Sequence, residues 1–273
     1  MNRLEQLIVR DPGGRGVAAL QVPGDLERAA GVLRAAGRVL LATGFAVGDP
    51  GVAETDGPPG ALFLGRALAR LGKQVAFATH RSCEPVMRAG LAALGLTAPL
   101  AVLAPGEAPD PILDAHPVDL VVAVELPGRA ADGQYYNMRA RPITDRTAPL
   151  DGLLLAGQRR SIPTVAVGDG GNEAGMGKVA DRVRAAVRHG ETIASVVPAD
   201  YLVTAGTSNW GAYGLVAALD PALLPDPAEE LALLTALNLA GALDGVRLQV
   251  AATVDGLEPD DYWQTLKELK RHE

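Results

Sequence analysis

Thr164-Val165-Ala166-Val167-Gly168-Asp169-Gly170-Gly171-Asn172-Glu173-Ala174-Gly175-Met176-Gly177 passes from a β-branched apolar run directly into a loop of five glycines, two carboxylates and an amide. A chain gives up side-chain packing at so many neighbouring positions where its backbone takes positive φ or comes close to a ligand. The basic segment from Lys178 to Arg188 then reads as a helix. Strand, loop and helix in this order are the repeating unit of an α/β fold. The loop stands at the carboxyl end of its strand, where open α/β sheets collect ligands. A plain turn between a buried strand and a surface helix would also explain the glycines; Asp169, Asn172 and Glu173 together favour an active-site loop. Known cofactor patterns do not fit. The dinucleotide pattern G-x-G-x-x-G fails because Glu173 stands where the third glycine belongs, and Met176 and Gly177 replace the Lys and Ser/Thr of a P-loop. No organic cofactor is expected.

Outward from this unit, short apolar runs at residues 38–42, 74–79, 99–104, 119–124, 162–167 and 199–205 alternate with helical segments at 25–36, 58–71, 82–94, 148–160, 178–188 and 210–219. That alternation predicts an α/β three-layer sandwich, a mainly parallel sheet with helices on both faces. The 273 residues are 48% hydrophobic but only 4% aromatic, so Leu, Val and Ala must build the core. A net charge of −7 argues against nucleic acid as a partner. No run reaches the length of a membrane span, and Met1 to Arg10 lacks a signal-peptide core, so a cytoplasmic location and no membrane partner are expected. The single cysteine, Cys83, excludes an internal disulfide framework and a cysteine-cluster zinc site. We expect one domain over residues 1–273, with 1–37 as an amino-terminal extension and 258–273 as a carboxyl-terminal helix. The helices near 227–242 and 259–271 read as packing and assembly surface, which makes a homo-oligomer one expectation.

Polar residues gather where the strands end. Thr43 and Gly44 close the first strand, and a loop rich in proline and glycine from Asp49 to Gly60 presents Glu54 and Asp56. Asp56 has the common role of capping the helix that starts at Pro58; Glu54, two residues earlier, is not explained that way. Cys83 reads as a small buried residue, and the nearby His80 is no evidence for a dyad with it. Glu125 ends a fully apolar strand, so it is functional or paired with a cation, for which Arg129 is at hand. The segment from Ala130 to Arg141, with Tyr135, Tyr136, Asn137, Arg139 and Arg141, suits a ligand-covering loop whose arginines bind a substrate carboxylate. In Gly206-Thr207-Ser208-Asn209, Asn209 is either the cap of its own helix or, with the hydroxyls, a pocket wall.

The segments TGF with ETDGPPGA, PGRAADGQYYNMR, GDGGNEAGMGKV, SNWGAYGL and TVDGL follow one another over roughly residues 38–257 and together resemble the D-glutamate cyclase family. The resemblance implies a hydro-lyase that dehydrates D-glutamate, or a related amino-acid-like small molecule, to 5-oxo-D-proline. On that reading Asp169, Glu173 and Glu125 are candidate catalytic residues. Thr43, Gly44, Tyr136, Asn137, Arg139, Arg141, Gly170, Gly171, Asn172, Ser208 and Asn209 are candidate substrate-binding residues. Glu54, Asp56, Glu125 and Asp169 form a candidate metal set, and such hard oxygen donors suit a divalent cation such as magnesium, manganese or calcium better than zinc. Two other readings use the same residues: a metal-dependent hydrolase of a small phosphorylated metabolite, and a non-catalytic amino-acid-binding protein.

Overall fold

The computed structural model of the chain describes residues 1–48 and 51–271. Asp49 and Pro50 of the first loop, and the last two residues of the carboxyl-terminal segment, lie outside the described residues. Six strands form one sheet: β1 (Arg38–Thr43), β2 (Gln74–His80), β3 (Leu100–Leu103), β4 (Leu120–Val124), β5 (Thr164–Gly168) and β6 (Tyr201–Thr204). Their order is β3-β2-β1-β4-β5-β6, and every pairing is parallel.

Alternation along the strands divides the core in two. Val39, Leu41, Phe77, Val122, Val124, Val165 and Val167 face one layer of helices, in which Asp25–Ala35, Pro58–Arg70, Glu84–Ala93 and Ser208–Leu219 pack. Leu40, Ala42, Ala78, Val121, Ala123 and Ala166 face the opposite layer, which includes Gly152–Arg159 and Ala180–Ala186. The three-layer α/β sandwich is therefore present, and burial on both faces is the reason the strands read as unbroken apolar runs. No described helix is long and apolar enough to cross a membrane.

Short elements escape the sequence pattern. An antiparallel pair, Ala46–Val47 with Val52–Ala53, sits inside the first loop, and a six-residue helix, Asp110–Ala115, sits inside the proline-rich connection to β4. Two-residue strands carry no periodicity, and proline in a first helical turn loses no hydrogen bond.

Residues 1–37 are part of the fold's packing. Leu4, Leu7, Ile8, Leu26 and Leu33 are buried in the first core layer. Asp25, itself buried, accepts from the Leu202 amide of β6 and from Lys178 Nζ.

The carboxyl-terminal helices are locked by one buried acid. Glu230, on Pro227–Leu239, accepts from Tyr213 Oη (2.6 Å), Tyr262 Oη (2.8 Å) and Trp263 Nε1 (2.6 Å), which tie Ser208–Leu219 and Pro259–Lys270 to it. Glu230→Leu leaves three donors without an acceptor, each costing ~1–3 kcal/mol when buried. The expected loss is about 3 kcal/mol or more, read from the denaturant midpoint at constant m-value.

Candidate active site

Strand order fixes where a site can form. From β1 the chain crosses outward to β2 and β3, then returns to β4 on β1's other side. The helices after β1 and β4 pack on opposite faces, so the loops following Thr43 and Val124, which are paired in register, part and leave a crevice. Glu125 opens the loop after β4 with φ 44°, its amide donating to the Val167 carbonyl and its own carbonyl accepting from the Gly44 amide. Gly57 lies against it: a Cβ there would come within 2.5 Å of the Glu125 Cβ. Only glycine lets the two loops approach this closely.

Two helix starts are joined by exchanged caps. Asp56 Oδ2 and Oδ1 accept from the Ser208 and Asn209 amides at 2.7 and 2.8 Å, at the start of Ser208–Leu219. Asn209 Oδ1 in return accepts from the Gly57 and Gly60 amides at 3.0 and 2.8 Å, and its Nδ2 donates to the Thr55 carbonyl. Pro58 and Pro59 have no N–H, so Asn209 serves the amides that the start of Pro58–Arg70 leaves open. The sequence predicts a capping aspartate at 56 and a capping or pocket-lining asparagine at 209; each caps the other's helix instead.

The floor of the crevice is acidic and buried. One carboxylate oxygen from each of Asp56, Glu125 and Asp169 lies within 4.8 Å of the others. Glu54 stands apart from that trio but faces the same cavity, as does Asp255. Arg15 enters from the amino-terminal segment, pairing with Asp169 and, at 3.0 Å, with Asp255. Burial and the neighbouring carboxyls push Glu54, Asp56 and Glu125 well above the usual carboxylate range. Burial raises Asp169 to about 6 and Asp255 to about 7, against the pull of Arg15 on both.

Above the floor opens a cavity of about 900 Å³, with Phe45, Met138, Ile143 and Val246 among its apolar lining. Arg139, Arg141, Arg146 and Arg188 stand around it; Arg146 is half-buried and the other three are exposed. Arg139 and Arg141 hold their loop through backbone amides that donate to Asn137 Oδ1. The outer part of the cavity is thus cationic, and the floor is built of carboxyl groups around Arg15.

The loop after β5 does two jobs. Glu173 turns back on it, accepting from the Gly170 and Gly171 amides at 2.7 Å each and from the Asp169 amide at 3.3 Å. The amides of Gly170 and Gly171, candidate substrate-binding residues, thus donate to Glu173. The glycines serve protein packing: Gly175 has φ 104° and a Cβ there would lie 2.0 Å from that of Ala166, while one at Gly177 would lie 2.6 Å from the Val196 backbone. Asp169 is left facing the cavity.

Other expectations land elsewhere. Arg129 pairs with buried Asp151, not Glu125; Ser208 Oγ donates to Glu125 Oε2 at 2.5 Å. The Tyr136 hydroxyl donates to Asp132, and its carbonyl accepts from Asn172 Nδ2, so both brace the covering loop. Gly44 packs against Thr79 and Cys83. The Thr43 hydroxyl is buried at the end of β1 and has no hydrogen-bond partner among the described residues. Burial pushes the Cys83 thiol up to about 12, which makes it inert. Arg15, Asp255 and Arg188 carry no signal in the sequence beyond the Asp-Gly of the TVDGL segment.

A family model described as D-glutamate cyclase-like, C-terminal, matches residues 4–270. The human protein named D-glutamate cyclase, mitochondrial (Homo sapiens) is 40% identical over 238 residues, covering 80% of this chain and 38% of that protein. The chain therefore spans well under half of that relative's length. Among solved structures, the sugar isomerase domain of an RpiR transcription factor from Sphaerobacter thermophilus is 18% identical over 82% of this chain and 88% of that one, with a TM-score of 0.33. That likeness is too loose to bear on function.

Proposed function

The chain belongs to the D-glutamate cyclase-like family, and from that premise we propose that it is a lyase of the D-glutamate cyclase type, closing the α-amine of D-glutamate or a related amino acid onto its own γ-carboxyl. The products are 5-oxo-D-proline and water. The observation that carries this reading is the division of the cavity into a buried floor of carboxyls, with Asp169 exposed to it, and an arginine rim.

An ammonium group is the natural ligand of such a floor. Glu54, Glu125, Asp169 and Asp255 line the cavity, an Asp56 oxygen lies within 4.8 Å of those of Glu125 and Asp169, and Arg15 is the nearby cation. Asp169 takes the proton from the ammonium, freeing the nitrogen lone pair; a base poised at about 6 is suited to that transfer near neutral pH. The nitrogen then attacks the γ-carbonyl carbon within the same molecule, the bond from that carbon to one of its oxygens breaks, and that oxygen leaves as water with the two protons the nitrogen gives up. Holding the chain folded supplies effective molarities on the order of 10⁵–10⁸ M. Arg15 uses one nitrogen for its two aspartates; its other N–H groups are the donors we assign to the oxygen on which charge develops.

Asp56, Glu125 and Asp169 also fit a divalent cation such as magnesium, manganese or calcium, with the buried Thr43 hydroxyl as a neighbouring oxygen. A bound cation would supply positive charge against the γ-carboxyl. The test incubates the chain with D- and L-glutamate, before and after exhaustive chelation, and measures 5-oxoproline. Formation from D-glutamate is expected. Loss on chelation and recovery with added metal assigns the trio to a cation; survival assigns it to the substrate's ammonium. Hydrolysis of phosphoesters with added magnesium and no 5-oxoproline would replace this reading with the hydrolase, and saturable binding without turnover would replace it with a binding protein.

A further inference from the structure

The cavity is too large for a free amino acid. Its volume of about 900 Å³ lies within the ~300–1,000 Å³ that drug-sized ligands fill, and glutamate is far smaller than these. The charges are separated along it as well: the carboxyl floor is buried, whereas Arg139, Arg141 and Arg188 are exposed at its outer part. These arginines come from two segments, the loop after β4 and the stretch following Ala180–Ala186. A ligand that meets both ends has an ammonium at one end and a carboxylate well beyond the reach of its own γ-carbon.

The chemistry points the same way. A free γ-carboxylate is a poor electrophile, since its carbon already shares the charge of two oxygens. An amide at that carbon carries no charge and has a second substituent that extends outward.

We propose that the preferred substrate is a γ-D-glutamyl compound, in which D-glutamate is joined through its γ-carbonyl to the nitrogen of a second, carboxylate-bearing residue, and that this outer carboxylate is held by the arginine rim. The proposal rests on the cyclase reading of the floor. The α-ammonium gives up two protons in all, one before and one after its nitrogen bonds to the γ-carbonyl carbon, and the bond from that carbon to the departing nitrogen breaks. Both protons end on the departing amine, which leaves as an ammonium. Water is neither consumed nor formed, and no oxidant or reductant is needed.

The experiment compares γ-D-glutamylglycine, γ-D-glutamyl methylamide (which lacks the outer carboxylate) and D-glutamate as substrates of the full chain, quantifying 5-oxoproline and the released glycine or methylamine by mass spectrometry. The expected order of kcat/KM places γ-D-glutamylglycine first, by about tenfold or more, the size of one charge-assisted hydrogen bond. In Arg139→Ala with Arg188→Ala, its preference over the methylamide should fall by a similar factor. Cyclisation of D-glutamate with no glycine released overturns this proposal and leaves the cyclase reading intact. Absence of 5-oxoproline from all three overturns both. A preference for the dipeptide that the arginine variants leave unchanged overturns the role of the rim.

Discussion

Asp169→Asn should lower kcat for 5-oxoproline formation by about 10²–10⁴-fold, the range for loss of a positioned general base. The substitution keeps the shape of the side chain and removes its basicity. Arg15 retains Asp255 as a partner at 3.0 Å, so the floor is not left with an unpaired guanidinium. The pH dependence carries the sign. The base acts when ionised, and burial places Asp169 at about 6, so kcat/KM should rise with pH through about 6 and level off above it. Arg15 pulls Asp169 down; Arg15→Met removes that pull, so the rising limb should move to higher pH. Glu173→Gln supplies the contrast. Glutamine can offer only one acceptor oxygen to the three amides that Glu173 now receives, so KM and kcat should both suffer, and because Glu173 pushes Asp169 up, the limb should move to lower pH, opposite to its shift in Arg15→Met. If Asp169→Asn keeps more than about a tenth of wild-type turnover, the proton goes to another carboxyl.

The opening stretch shows what a sequence can and cannot reveal here. Its apolar run is β5, because a strand covered on both faces must be apolar throughout, and that constraint is local. The same holds for the central strands, while Leu100–Leu103 at the sheet edge is buried only at Leu103. The function of its glycines is not local. Their crowding against Ala166, Val183 and Val196 is set by segments that the fold brings in, and nothing in the spacing separates that from close approach to a phosphate. Asp169 and Glu173 look equivalent in sequence; only the direction in which the loop turns makes one a brace and the other a floor residue. Arg15 is the clearest case of long-range assembly. It sits in a segment of turns, 154 positions before Asp169, and reaches the site because helix Asp25–Ala35 anchors the amino-terminal segment against β6 and Ser208–Leu219. Likewise, Asn209 and Asp56 each have an obvious local helix to cap, and the exchange of partners appears only when the two helix starts meet.

Asn209→Ala should be among the most destabilising single changes in the chain. It removes the acceptor of the Gly57 and Gly60 amides and the donor to the Thr55 carbonyl, all at a site with no solvent access. Three buried groups left unpaired at ~1–3 kcal/mol each give about 3–9 kcal/mol. For a chain of this size, ~2–4 °C per kcal/mol makes the fall in Tm on the order of 10 °C or more. Thr207→Ala is the control, since Thr207 caps Ser208–Leu219 through a single 3.2 Å bond from the Trp210 amide; its expected cost is about 1 kcal/mol. A measured difference of less than about 1 kcal/mol between the two variants would mean that the exchanged caps add little beyond an ordinary one. Function should follow stability in this case. Asn209 and Asp56 fix the 54–57 loop against Ser208–Leu219, and Gly57 in that loop lies against Glu125. Loosening the exchange lets the floor carboxyls separate, so 5-oxoproline formation by Asn209→Ala should drop even at temperatures where far-UV circular dichroism shows the variant folded, whereas Thr207→Ala should keep its activity there.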